Sequence, residues 1–350
     1  MKLRVSAALF GLGVLLLVFA VGLPLYVAPA ISKLPYDLKP TTLVAEANNA
    51  RFLQITADSE TVTVEVPRAT LRSTIEVLPQ PGDTKDRLPD QLKGDAVIWD
   101  VYQTVVRSDT QDPITMYSTQ LALYRVSAEA APWDDQWLKQ DDSDETPRGN
   151  VSYSGLIYKF PFGAEKKDYP VFDRDLKEAI PATFVGTETV EGVEVYRYEQ
   201  RIENRVLDTP EESLQVLLST FAPGSTTGEI VYSNTRTYWV DPVTGAWVDV
   251  REQQRKELRP DVGSTTVLLD ADFNYTDDTV NNSVESVKTN RLKIGLARLW
   301  GPIAAGVLGL IALAVGLRLF LQTGGAAGRH AAAAPAAGGP ATGKEDQDSS

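Results

Sequence analysis

Two apolar stretches, one towards each end, constrain this chain more than any other feature. From Val5 to Ser32 there are 28 residues without a charge, densest from Ala7 to Val21 and preceded by Lys2 and Arg4. Near the other end, Leu299 to Leu317 gives 19 uncharged residues bounded by Arg298 and Arg318. A helix of about 20 apolar residues crosses the hydrocarbon of a bilayer, so both stretches are long enough to span. We read residues 7–27 and 299–319 as transmembrane helices. A cleaved signal peptide is the alternative for the first, because a basic start, an apolar run and Ala28-Pro29-Ala30 follow one another. Signal cores run to about 15 residues, whereas this run continues to Leu25, which favours a retained anchor.

Gly301, Ala305 and Gly309 recur every four residues and so share one helix face, where a second backbone can approach closely. Ala7 and Gly11 are the expected partners; the alternative is that Gly and Ala are simply common in membrane helices. Basic residues flank both sides of the spans about equally, so they do not decide orientation. Lys2 and Arg4 before a long apolar run are how a signal anchor begins, and long loops translocate largely regardless of charge. The expected layout is a cell-membrane protein with cytoplasmic residues 1–6, an extracytoplasmic domain at 28–298 and a cytoplasmic tail at 320–350. That tail is rich in Ala, Gly and Pro. It has too little apolar surface to offset chain entropy and is expected to be disordered.

The segment between the spans reads as mainly β with minor α. Residues 61–66, 73–78, 96–107, 117–127 and 264–275 combine β-branched and aromatic residues with period-two alternation. Two hairpins carry explicit turn chemistry: one turns at Glu191-Gly192, the other at Asp241-Pro242 with Gly245 free to take positive φ. Antiparallel pairing follows. One helix is well signalled, with Thr209 as N-cap, Pro210 at its first position, Glu211 and Glu212 in the first turn and Pro223-Gly224 as the stop. Val284, Val287 and Leu292 at helical spacing suggest a stalk leading into the second span. No internal repeat is evident.

Residue types then narrow the chemistry. The 350 residues include no Cys and one His, His330, in the tail. Thiolate zinc sites, disulfides, Cys nucleophiles and His-based triads are therefore excluded from the folded part. Residues 33–298 carry 29 basic and 44 acidic residues, which argues against nucleic acid as a partner. Asp134, Asp135, Asp141, Asp142, Asp144 and Glu145 form one acidic window, without EF-hand spacing, and Asp270, Asp272 and Asn274 share one strand face. A solvated loop and a solvated strand face are the favoured readings, so no metal ligand is assigned. Paired carboxylates can run glycosidase chemistry, but among 44 acids the signal has almost no specificity. Sequons at Asn150, Asn274 and Asn281 matter only in a host that glycosylates Asn. We expect no cofactor, no catalytic residue and no enzyme.

The most distinctive stretch runs from Ser154 to Asp173. Tyr158, Phe160, Phe162, Tyr169 and Phe172 are interrupted by Pro161 and Pro170, and Lys159, Lys166 and Lys167 form a basic island. Apolar plus cationic surface suits a lipid with an anionic head, which nominates Tyr158, Lys159, Phe160, Phe162, Lys166 and Lys167 as a lipid site. The alternative is an aromatic-rich strand and turn packing the domain's own core. Gly155 to Asp173, the Tyr238-to-Gly245 hairpin, and Asn282-Ser-Val before a basic approach to the second span resemble an actinobacterial membrane-protein family labelled porin PorA. In plan that family is similar to class B scavenger receptors, with two terminal spans around a β-rich ectodomain that in those receptors carries a lipid tunnel. The resemblance implies a cell-envelope protein binding or relaying lipid or glycolipid. A scaffold for envelope-assembly proteins and a porin or channel component are the alternatives. Neither span is amphipathic, and a closed transmembrane barrel has no need of two apolar helices.

Overall fold

The computed structural model describes residues 2–57, 62–140 and 148–327. The chain opens with α1 (Lys2–Gly22), a π-helical turn at Leu23–Val27 and α2 (Ala28–Ile31). Strands β1 (Thr41–Phe52), β2 (Gln54–Ala57), β3 (Val62–Glu65) and β4 (Arg68–Pro79) precede the short α3 (Pro81–Asp86). Then come β5 (Ala96–Arg107), β6 (Pro113–Tyr124), β7 (Trp137–Lys139) and β8 (Gly149–Asn150). The next group is β9 (Tyr169–Asp173), β10 (Glu178–Val190), β11 (Val193–Val206), α4 (Glu211–Phe221), β12 (Gly228–Val240), β13 (Trp247–Pro260) and β14 (Thr266–Tyr275). Last are α5 (Asp277–Gly295), a second π-helical turn at Leu296–Trp300 and α6 (Gly301–Ala327). Two compact units result: residues 1–28 with 295–350, and residues 29–294. His330 and the acidic residues at 141–145 lie outside the described residues, as does the tail after 327.

In the first unit α1 and α6 pack side by side, and both are long and apolar enough to cross a membrane. Their contact is made by small residues. A Cβ on Gly309 would stand 3.0 Å from the Gly13 carbonyl, and one on Gly13 would stand 2.7 Å from Leu313. Gly301 approaches Leu23, and Ser6 Oγ donates to the Gly316 carbonyl at 2.7 Å. Ala305 is half-buried. Gly11 has nothing within 4 Å and Ala7 is exposed, so α1 presents Ser6 and Gly13 where the sequence nominated Ala7 and Gly11. The helical period puts Ser6, Gly13 and Ala20, seven residues apart, on one stripe and turns Ala7 and Gly11 away from it.

The second unit is built on a twelve-stranded sheet ordered β8-β7-β6-β5-β4-β1-β14-β13-β12-β11-β10-β9, antiparallel throughout, with β2 and β3 as a separate hairpin. Twist curls the sheet, and its edges meet through short segments near residues 130 and 156. Ala131 N donates to Ala122 O on β6, Ala130 N to Gly155 O, Leu156 N to Pro170 O, and Phe172 N back to Leu156 O, at 2.8–2.9 Å. The sheet thus returns upon itself at this seam. Strand alternation then defines an inside and an outside. On β13, Val250, Glu252 and Gln254 point inward while Arg251, Gln253 and Arg255 are exposed.

Two helices cover parts of the sheet. Leu214, Leu217 and Leu218 of α4 pack on Ile230, Leu258 and Leu268. Its N-cap is Pro210, with no side-chain cap; Thr209 Oγ1 instead bonds the Leu207 carbonyl, so the capping residue expected from the sequence sits one place too early. Val284 and Val287 of α5 are buried against Val193, Val195 and Val248. The expected stalk is therefore a helix docked on the sheet, with Leu292 left exposed. Helical spacing alone does not distinguish these two fates.

Candidate functional site

The interior of the curled sheet holds a cavity of about 180 Å³. Inward positions of consecutive strands line it: Leu71, Ser73 and Ile75 from β4, Gln103 and Val105 from β5, Tyr117 from β6, Phe172 from β9, Tyr238 from β12, Trp247 and Val250 from β13, and Phe273 and Tyr275 from β14. Tyr153, Ile157 and Tyr158 enter from the segment before β9. The wall is apolar and aromatic along most strands, with charge concentrated on one arc.

That arc is a buried ionic network. Arg236 on β12 pairs with Glu252 on β13, which also accepts from Asn234 and Gln254 at 2.8 and 2.7 Å. Arg236 donates further to Gln200 and to the Tyr238 hydroxyl, and stands 3.7 Å from Asp173. Lys256 pairs with Asp175 at 2.6 Å, and Arg174 lies over the Tyr117 ring at 3.9 Å while donating to Gln103. Burial pushes the Glu252 carboxyl up, but Arg236 and its amide donors outweigh burial and hold it below the ordinary range. Burial raises the Asp173 carboxyl despite Arg236. Burial also pushes the Tyr238 hydroxyl up to about 12. Ionised groups here are held by partners, as buried charge requires. Two donors are not: among the described residues Trp247 Nε1 and Tyr275 Oη line the cavity without a protein partner. An occupant offering acceptor oxygens would satisfy both.

The residues nominated from the sequence divide sharply. Tyr158 lines the cavity, with its hydroxyl 3.5 Å from that of Tyr117. Phe160 is fully buried among Tyr169, Tyr198 and Tyr238, with ring centroids 4.6–5.7 Å away. Lys159 is buried beside it. Its ammonium donates to the Phe160 and Thr244 carbonyls and stands 3.7 Å from the Phe162 ring centroid. Lys166 and Lys167 are exposed, the first 5.2 Å from the Tyr196 ring and the second paired with Glu165. These six residues therefore form one cavity wall, one core plug and one solvent edge rather than a single surface.

The plug explains why two distinctive motifs occur in one chain. Phe160 N donates to Gly245 O, and Gly163 N to Val243 O, so the Lys-Phe-Pro-Phe segment seats on the β12–β13 turn. Gly245 takes φ +72, and a Cβ there would collide with the Phe160 carbonyl. Asp241, fully buried, caps the turn by accepting from the amides of Val243 and Thr244, and Arg291 of α5 reaches it at 2.5–2.6 Å. Burial lowers the Lys159 amine to about 7, partly opposed by Asp241.

The outer face differs in kind. Asp272 pairs with Arg251 and Asp270 with Arg255, both pairs exposed. The carboxylates that alternate along β14 thus face arginines on the adjacent strand. Among the described residues no three carboxylate or imidazole groups gather as a cation site.

Residues 5–318 match the family described as Porin PorA. This chain belongs to that family. A Porin PorA of Corynebacterium amycolatum is 24% identical, aligned over 91% of this chain and 99% of its own. A Porin PorA of Corynebacterium resistens is 27% identical over 58% of this chain and 53% of its own. Among solved structures, a MaoC domain dehydratase from Chloroflexus aurantiacus aligns with 78% of this chain and 90% of its own at 10% identity. Its TM-score of 0.12 carries no argument.

Proposed function

We propose that this member of the porin PorA family is a cell-envelope membrane protein whose β domain takes the apolar part of a lipid or glycolipid into its interior cavity. The supporting observation is that cavity: an aromatic and aliphatic wall, one arc of partnered charge, and two donors awaiting an acceptor. A dry cavity of about 150 Å³ takes a benzene-sized molecule, so this one suits several methylenes or one ring. Each methylene buried contributes about 0.8 kcal/mol. In this reading Tyr158 contacts the occupant, while Lys166 and Lys167 stay in solvent. The layout accompanying it has α1 and α6 as the two spans, residues 28–298 outside, and residues 1–6 and 320–350 inside. Membrane lipid is the partner, and no catalytic step is required.

A channel component is the second reading, favoured by the name the two relatives carry. The sheet itself is not suited to spanning a bilayer. Its outer face carries Arg251, Arg255, Asp270 and Asp272 where a membrane barrel needs an apolar band. A pore in this reading would be formed by the helices of several copies.

Mass spectrometry of lipids copurifying with the full-length protein tests the first reading. The expected result is a bound lipid species, lost in a folded Ile75→Trp variant whose indole fills the cavity. Absence of any lipid, with unitary conductance in planar bilayers, would establish the channel reading instead. Because the chain lacks Cys, single-Cys variants labelled by an impermeant maleimide on intact cells test the layout. Labelling of Val262→Cys is expected. Failure to label it would place the domain inside.

A further inference from the structure

The end of the β domain at which the Lys-Phe-Pro-Phe segment docks carries an apolar patch that the cavity does not use. Val126 is 57% exposed and Val243 37%, and between them lies half-buried Phe162. The three are contiguous: Phe162 N donates to Val126 O, and Gly163 N to Val243 O. Tyr36 extends the patch, with the Arg125 guanidinium 3.9 Å from its ring centroid. Both ends of the domain converge here. Leu34 and Arg125 exchange bonds, Leu34 N to Arg125 O and Arg125 Nε to Leu34 O, and Arg291 grips the turn that carries Val243. In sequence Leu34 follows Ala28 by six residues, a chain length of at most about 20 Å. Residues 286–294 hold Lys288, Arg291 and Lys293 and no acidic residue, in a domain otherwise rich in acid.

We propose that this patch is a membrane-docking tip, with Val126 and Val243 entering the headgroup layer of an anionic lipid surface, Phe162 packed on the core between them, and the neighbouring basic stretch meeting its phosphates. Aromatic and aliphatic side chains ringed by Lys and Arg are the composition that lies in a bilayer interface. The tip rests on the reading of α1 and α6 as spans. It is separate from the cavity, whose occupant would enter from a surface the tip holds close.

The test uses the full chain, which has no native thiol. Single variants Val126→Cys, Val243→Cys, Val262→Cys and Leu308→Cys are labelled with an environment-sensitive fluorophore. They are then reconstituted in vesicles of phosphatidylcholine and phosphatidylglycerol containing a lipid spin-labelled in its headgroup region or, in a second set, near the end of its acyl chain. Val262 adjoins the far end of β13, and Leu308 lies on the exposed face of α6. Fluorescence is expected to be quenched at 126 and 243 by the headgroup label, at 308 by the acyl-chain label and at 262 by neither, with quenching at 126 and 243 falling when phosphatidylglycerol is omitted. Quenching at 308 without 126 and 243 overturns the tip and leaves the spans standing. No quenching at 308 overturns the spans and the tip together. A Val126→Cys protein that forms disulfide-linked dimers and is shielded equally in detergent assigns the patch to a second copy and overturns the membrane proposal.

Discussion

Arg251 and Glu252 are consecutive residues on β13, and each makes an arginine–carboxylate pair, yet the two pairs live in different media. Glu252 faces inward to Arg236, with side-chain exposures of 21% and 16%; Arg251 faces outward to Asp272, at 45% and 40%. Outside, water screens the pair and either partner is readily solvated alone, so such pairs contribute roughly 0.2–1 kcal/mol. Inside, neither ion has a solvent to fall back on. The inner pair is no proof of extra stability, since an apolar replacement of both partners is often neutral, but removing one partner leaves a charge stranded. Chemistry alone does not rank these interactions; the face of the strand does.

The strongest way to sharpen this contrast is to disturb what seats the interior. Gly245→Ala adds a Cβ into the Phe160 carbonyl at a residue with positive φ, and should cost about 4 kcal/mol or more, seen as loss of a cooperative unfolding transition. Next, Glu252→Ala leaves buried Arg236 with only the longer 3.7 Å contact to Asp173 and should cost about 3 kcal/mol in denaturant unfolding. A loss below about 1 kcal/mol there would put the inner pair with the outer one and break the comparison.

Lys159 tests the same idea through pH. Its amine is near 7 when folded against an ordinary 10.5, so between those values the unfolded chain binds a proton that the folded chain has released. Stability contributed by this group therefore rises with pH from about 7 to 10.5. The thermal midpoint of the wild type should gain on that of Lys159→Met between pH 7 and 9, and parallel midpoints would show the ammonium to be fully supported by its two carbonyls. The smallest effect is expected outside: Asp272→Ala should cost less than about 1 kcal/mol, and less again at high salt.

Local chemistry was legible in the sequence. Strand β5 occupies Ala96–Arg107, the bounds read from the sequence, although its first four residues are buried on both faces, and the Glu191-Gly192 turn is present with positive φ at both positions. These features depend on neighbours along the chain. Register does not, and whatever rested on register was hidden. Asp270 and Asp272 were placed on one face by period-two spacing, but their arginine partners appear only once β13 is laid against β14. Along the sequence Lys159 belongs to a basic island, whereas in the fold its partners are backbone carbonyls, which no residue type advertises. The cavity and the seam at Leu156 arise from closure of twelve strands, a property of the whole sheet. The small-residue stripe on α6 was visible, but which face of α1 it meets depends on the partner helix.

The seam has a mechanical meaning. Most neighbouring long strands are joined by eight or more paired residues, as in β12 with β13, while β1 and β14 share four; among the described residues the closure is made by a few backbone bonds around Gly155 and Leu156, with Arg174 reaching Gln103 and Tyr153 reaching Thr119 beside them. Gly155 holds φ +67, and a Cβ there would stand 2.5 Å from the Pro170 carbonyl, so one methyl group is enough to wedge the closure apart. A ring sparsely fastened at its closure parts there more easily than along its densely paired strands, like a bracelet at its clasp. Hydrogen exchange at the Leu156 and Phe172 amides should therefore run ahead of the rest of the sheet, marking where the ring parts.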